Sequence, residues 1–236
     1  RQSLDPNEKI PKYMPIEFRK GSQDDAIKRT LKAIDGGKDK FLWDAKMRFG
    51  KTLASLQVAK EKGYKKVLII THRPDVNKDW YDDFDKIFYD TNYKFGSKSK
   101  GDTFEYLLNQ ENPFVYFASM QNLGGSRCVL EKMNTHVSGY EKNDKLFETE
   151  WDYLIIDEAH EGTKTELATA VISSIKRKFL LALSGTPFNL MDGDSVNLED
   201  LSLSFKSDEI YTWDYVMEQE LKEKWADGIS VLEPNC

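Results

Sequence analysis

The sequence predicts an α/β fold with a mostly parallel central sheet and helices on both faces. Short apolar runs recur at Phe41–Trp43, Val67–Ile70, Phe114–Ala118, Tyr153–Ile156 and Phe179–Leu183, each about the length of a strand buried on both sides. Between them lie longer polar-amphipathic stretches, the alternation expected when each strand is followed by a crossover helix. A chain of 236 residues is long enough to bury a full core as one large domain or two small ones.

The helix candidates follow in order. Residues 24–35 precede the first strand, 51–62 stop at Gly63, and 75–88 open after Arg73-Pro74. Residues 102–110 and 127–147 form a broken helical region, and 163–176 lead into the fifth strand. Residues 91–101, TNYKFGSKSKG, carry three lysines and two glycines and read as a loop, as do residues 120–127. Right-handed crossovers would cover both faces of the sheet, and ligands of such sheets bind where the loops gather, at the C-terminal ends of the strands.

Charge divides the chain. Residues 191–236 hold 12 Asp/Glu against 3 Lys/Arg, a balance of −9, whereas residues 1–190 hold 28 acids and 31 bases, a balance of +3. The overall −6 is therefore a property of the tail and does not exclude a nucleic-acid partner for the rest. Residues 1–190 are expected to form the catalytic domain. Residues 191–236 are expected to be an acidic linker or docking extension, with a helix over 212–225.

No apolar run approaches the length of a membrane helix. Cys128 and Cys236 lie in no metal-binding or disulfide pattern, which fits a reducing cytoplasm. The N-terminal RQSLDPNEKIPKYMP has neither a signal-peptide core nor an initiator Met, so the chain is expected to be part of a longer polypeptide.

The chemistry sits just after the strands. Behind the first comes Ala45-Lys46-Met47-Arg48-Phe49-Gly50-Lys51-Thr52 and then a helix. A phosphate loop needs inward-turned N–H groups at a helix N-terminus, a lysine for the outer phosphates and a hydroxyl for Mg²⁺, and Gly50, Lys51 and Thr52 supply them. Ala45 stands where GxxxxGK[ST] has its first glycine, and Arg48 and Phe49 make the loop bulky. Behind the fourth strand, Asp157-Glu158-Ala159-His160 presents adjacent carboxylates, suited to holding Mg²⁺ (Asp157) and polarising water (Glu158). Behind the fifth stands Ser184-Gly185-Thr186-Pro187.

In this order the motifs resemble those of superfamily 2 helicase-like ATPases, in their first RecA-like domain, over residues 16–190. The KMRFGKT loop is most similar to that of the motor subunits of type I and type III restriction enzymes. The resemblance implies an ATP-hydrolysing DNA translocase domain using ATP and Mg²⁺, with Lys51, Asp157, Glu158 and His160 as catalytic residues and Thr52 and Asp157 on the metal. It places Gln23 on the adenine within an adenine-recognition segment of about 16–35, with Arg48, Phe49, Gly50, Lys51 and Thr52 around the phosphates. Ser184 and Thr186 would couple hydrolysis to movement, and Thr71, Arg73, Ser119 and Gln121 would grip nucleic acid. Double-stranded DNA, a second RecA-like domain and methyltransferase or specificity subunits are the implied partners. An RNA helicase or remodelling ATPase with the same core, and a scaffold that has lost hydrolysis, are the alternatives. Pro74-Asp75 and Glu220-Leu221-Lys222 match a PD…ExK nuclease in letters, but Pro74-Asp75 lies at a strand-to-helix turn.

Overall fold

A computed structural model describes Tyr13 and residues 15–72, 77–134, 143–159, 165–185, 195–198 and 203–226. The elements run α1 (Gln23–Asp35), β1 (Lys40–Ala45), α2 (Lys51–Lys62), β2 (Lys66–Thr71), α3 (Asn77–Phe88), β3 (Lys94–Ser97), α4 (Phe104–Leu108), β4 (Phe114–Ser119) and α5 (Met120–Gly124). They continue with α6 (Arg127–Lys132), α7 (Asp144–Glu148), β5 (Trp151–Asp157), α8 (Thr165–Ser174), β6 (Arg177–Ser184), β7 (Ser195–Leu198), β8 (Leu203–Lys206), β9 (Ile210–Trp213) and α9 (Tyr215–Ala226).

Seven strands form one sheet in the order β3-β4-β2-β5-β6-β1-β9, every neighbouring pair parallel. β7 and β8 make a separate antiparallel pair. All five predicted strands are present, each extended by a residue or more. Alternation along them splits the core in two. Phe41, Trp43, Val67, Ile69, Tyr153, Ile155, Phe179 and Leu181 point to the face packed by α1, α2 and α3. Leu42, Leu68, Ile70, Leu154, Ile156, Leu180 and Ala182 point to the other, with α5, α6 and α8. Burial on both faces is why these strands read as continuous apolar runs.

The helix termini follow local rules. α1 carries Asp24 and Asp25 in its first turn and Lys32 in its last, each charge complementing the helix dipole. α2 ends at Gly63 with φ 62°, where Gly63 and Tyr64 return their N–H groups to Lys60 and Ala59.

Four expectations change. The predicted 91–101 loop contains edge strand β3, whose composition hides it: only Phe95 is apolar, and a Cβ on Gly96 would lie 2.3 Å from the Asp102 carbonyl oxygen. The 120–127 loop opens with the short helix α5, and of the 127–147 stretch the described parts are the short helices α6 and α7. The helix expected over 212–225 begins at Tyr215, because 210–213 is a strand. That strand, β9, pairs in parallel with β1 and buries Tyr211 and Trp213, so the sheet does not stop at residue 190. Among the described residues no helix is long and apolar enough to cross a membrane.

Candidate functional site

Strand order decides what meets at the C-terminal edge of the sheet. β6 lies between β5 and β1, so Ser184-Gly185 falls between the acidic pair after β5 and the glycine-lysine loop after β1. Register aligns Ser184 with Asp44, and Thr71 with both Ser119 and Asp157. Motifs more than a hundred residues apart in sequence become neighbours.

The loop after β1 is held from three directions. Phe49, expected beside the nucleotide, is 1 % exposed and packs against Trp43, Tyr211 and Trp213 with ring centroids 6.1–6.3 Å apart. Its side chain turns inward because an aromatic at this turn is more stable filling the gap between β1 and β9 than facing water. Its carbonyl accepts from Gln23 Nε2 and from Arg19 Nη2, both at 2.7 Å, and Arg19 also reaches the Arg48 carbonyl at 3.3 Å. Gln23 Oε1 accepts from the Arg19 amide at 3.1 Å. Each end of the amide expected to read adenine thus already has a protein partner, leaving one N–H and one lone pair for a base.

On its other side the loop is tied to the C-terminal segment. Lys46 N donates to the Trp213 carbonyl at 3.1 Å, the Lys46 ammonium pairs with Glu218 on α9, and Tyr211 OH donates to the Ser22 carbonyl at 2.9 Å. Arg48 adopts φ 65° and, like Met47, is exposed.

Gly50 has φ 82°, a backbone strained for any side chain, and a Cβ there would lie 2.4 Å from Gln23 Nε2 and push the amide off the Phe49 carbonyl, so glycine is favoured. α2 then begins with no side-chain cap and, unlike α1, with no acid in its first turn. An uncapped helix N-terminus following a glycine in the left-handed region is suited to an anion. Lys51 Nζ donates to the Ala45 carbonyl at 2.6 Å and the Lys46 carbonyl at 3.4 Å. Burial lowers its pKa, while Glu158, Asp157 and Asp44 oppose that shift. Asp44, not singled out by the sequence, is a buried third carboxylate in this group.

The acidic pair is held by directional bonds. Asp157 Oδ1 accepts from the Glu158 amide at 3.0 Å and Oδ2 from the Trp80 indole at 3.1 Å. Burial, then the neighbouring Glu158, raises the Asp157 pKa to about 6 against the pull of Trp80 and Lys51. Glu158 has φ 53°, a left-handed backbone uncommon for a residue with a side chain. Ala159 N closes the turn onto the Leu183 carbonyl at 2.8 Å. A Cβ on Gly185 would stand 3.5 Å from Lys51 Nζ and 3.7 Å from Glu158 Oε2, so Gly185 keeps side-chain bulk out of the space flanked by cation and acid.

This donor set fits a nucleotide and a hard divalent cation. Thr52 and Asp157 could offer a cation one hydroxyl and one carboxylate, a set that phosphate oxygens would complete. Among the described residues no three His, Cys, Asp or Glu converge as a self-sufficient metal cage.

The other expected positions fare differently. Ser184 is fully buried at the end of β6, while His160, Thr186 and Arg73 lie outside the described residues. Thr71 and Ser119, expected to touch nucleic acid, are 1 % and 2 % exposed. Ser119 Oγ accepts from Asn122 N at 3.3 Å and caps α5, the ordinary work of a hydroxyl where a strand turns into a helix. Gln121 is exposed. Sequence reasoning missed Asp44, Trp80, Tyr211 and Trp213. Phe18-Arg19 resembled, with Gln23, the family's adenine-recognition segment, but the bracing of the loop by Arg19 had no signal.

Comparison with known proteins agrees with this geometry. A Mycoplasma pneumoniae protein, provisionally named as the C-terminus of a type II restriction enzyme and methyltransferase, is 30 % identical, the match covering 78 % of this chain and 29 % of that protein. The Sulfolobus solfataricus SWI2/SNF2 ATPase core, solved in complex with double-stranded DNA, superposes with a TM-score of 0.52 at 20 % identity, covering 73 % of this chain and 32 % of that one, and shares its fold. The chain spans less than a third of the length of either. A family profile described as "Type III restriction enzyme, res subunit" matches residues 16–189, most of the sheet and every helicase-like motif considered above, and the chain belongs to that family.

Proposed function

We propose that this chain is the first RecA-like lobe of an ATP-driven DNA translocase in a restriction-modification enzyme. The observation that carries the reading is the convergence of Lys51, Glu158 and the open Gly185 turn beside an uncapped helix N-terminus. Lys51 would leave its two backbone carbonyls to neutralise the outer phosphates, and Thr52 and Asp157 would hold Mg²⁺. Bound Mg²⁺ supplies charge neutralisation on the phosphate oxygens. Glu158 orients the attacking water and accepts its proton. Gly185 leaves room for the phosphate, and Gln23 joins adenine recognition to the loop it braces. Gln121 and the lysines of residues 94–100 are candidates for contact with a phosphate backbone.

The half-site geometry also supports a second lobe. Met47 is 79 % exposed at the loop tip, and Val216 and Met217 are exposed at the start of α9, which Glu218 ties to the loop. Apolar side chains in water beside a nucleotide site suit an interface. Support for double-stranded DNA over RNA rests on the fold shared with the SWI2/SNF2 core and on the restriction-enzyme relative.

The test is hydrolysis of MgATP by the whole polypeptide with and without duplex DNA. Lys51→Ala is expected to lower kcat by about 100-fold or more, the scale of losing one preorganised charge-stabilising group. Unchanged, DNA-stimulated turnover in that variant would refute the reading.

A further inference from the structure

We infer that Trp80 is a positioning residue for Asp157, fixing the carboxylate for its cation from outside the sequence motifs. The inference rests on the proposed role of Asp157. Trp80 stands in the first turn of α3, 1 % exposed, and its indole N–H reaches Asp157 Oδ2 at 3.1 Å across 77 positions of sequence. An indole is a donor only, so this contact can hold the carboxylate solely as an acceptor. The Glu158 amide engages the other oxygen at 3.0 Å. One protein donor per oxygen fixes the torsion of the group and leaves a lone pair on each for a cation or its water.

α3 is itself anchored to the loop after β3. Asn77 Nδ2 donates to Ser97 Oγ at 3.0 Å and Ser99 Oγ at 2.7 Å. Ser97 spends its own hydrogen on the Lys100 carbonyl, so it can only accept from Asn77, and this fixes the orientation of the amide. The Lys100 ammonium sits 3.8 Å from the centre of the Tyr81 ring, next to Trp80 in sequence. The turn of α3 that carries Trp80 is thereby tied to a lysine-bearing loop on one side and to the metal-site carboxylate on the other. A shift of that loop would reach α3 through Asn77 and Lys100, and Asp157 through the rigid Trp80 indole.

The experiment is carried out on the whole chain. Trp80→Phe keeps a buried aromatic and removes the donor. Trp151→Phe is the matched control, because Trp151 is equally buried and gives its indole N–H to the Leu146 carbonyl on the opposite face of the sheet. With ATP present, Mn²⁺ binding followed by electron paramagnetic resonance is expected to weaken about 10-fold in Trp80→Phe, the usual scale for losing a group that orients a metal ligand. The same measurement should be unchanged in Trp151→Phe. Equal affinities in the two variants would make Trp80 an ordinary core aromatic and overturn the inference. Asp157→Asn separates this failure from failure of the underlying reading: if it also binds Mn²⁺ normally, Asp157 is not the metal ligand. Should Trp80→Phe not fold, the unsubstituted protein still decides. Its Trp80 indole N–H resonance is expected to be the first of the tryptophan signals broadened by Mn²⁺, and broadening of all of them alike would overturn the inference.

Discussion

The two halves of the site are held by different forces. The loop after β1 is set by crowding: Phe49 wedged among Trp43, Tyr211 and Trp213, a glycine in the left-handed region hard against the Gln23 amide, and two donors on one carbonyl. The acidic turn after β5 is set by a few directional bonds around a buried carboxylate and a left-handed Glu158. The first arrangement stabilises the fold whether or not a ligand binds. The second costs stability until a cation offsets the buried charge. Packing positions the part proposed to grip, and stored electrostatic cost marks the part proposed to react.

The largest expected effect would break the first half. Phe49→Ala removes a fully buried ring and should destabilise the chain by about 3–5 kcal/mol, lowering Tm by roughly 6–20 °C in calorimetry. An unchanged Tm would mean that crowding does not hold the loop.

Asp157→Asn tests the opposite sign in the second half. With its pKa raised to about 6 from the ordinary 3.8, Asp157 binds its proton more tightly in the folded state. Stability on its account is full below about pH 4 and is lost as pH rises through about 6. In metal-free buffer at pH 7–8 the variant should therefore gain up to about 3 kcal/mol over the parent, and the gain should vanish toward pH 4. Denaturant titrations across that range give the comparison, and a variant less stable than its parent at pH 8 would contradict it.

The smallest effect sharpens the contrast. Glu218→Gln removes a partly exposed ion pair with Lys46 and should cost less than about 1 kcal/mol, with any loss of MgATP affinity shrinking at high salt. A salt-independent loss in a binding titration would instead make α9 part of the phosphate grip.

Much of this was legible in the sequence because it is local. Five strands announced themselves as apolar runs, and GKT and DEA declared loop chemistry through residue type and position. β3 and β9 did not, because four residues containing a glycine, or lying among acids, carry too little periodicity to stand out. The side chains of Phe49, Thr71 and Ser119 turned out buried for a shared reason. A motif letter says which residue occupies a turn, but whether it faces ligand or core depends on strands far away in the chain. Trp80 left no trace at all, since an aromatic at helical spacing reads as core and its bond to Asp157 exists only once β2 and β5 are paired.

The parallel pairing of β9 with β1 has a consequence for the order in which the molecule is made. Lys46 and Phe49 are synthesised before the groups that hold them, which belong to Tyr211 and Trp213. On the ribosome the nucleotide loop must wait, one aromatic face uncovered, until some 160 further residues have emerged, and long-range closure of this kind is slow. A fragment cut at residue 190 would keep every motif and still lack the wall its loop leans on. The proposed nucleotide loop is therefore complete only when the acidic segment that carries β9 has folded back onto β1.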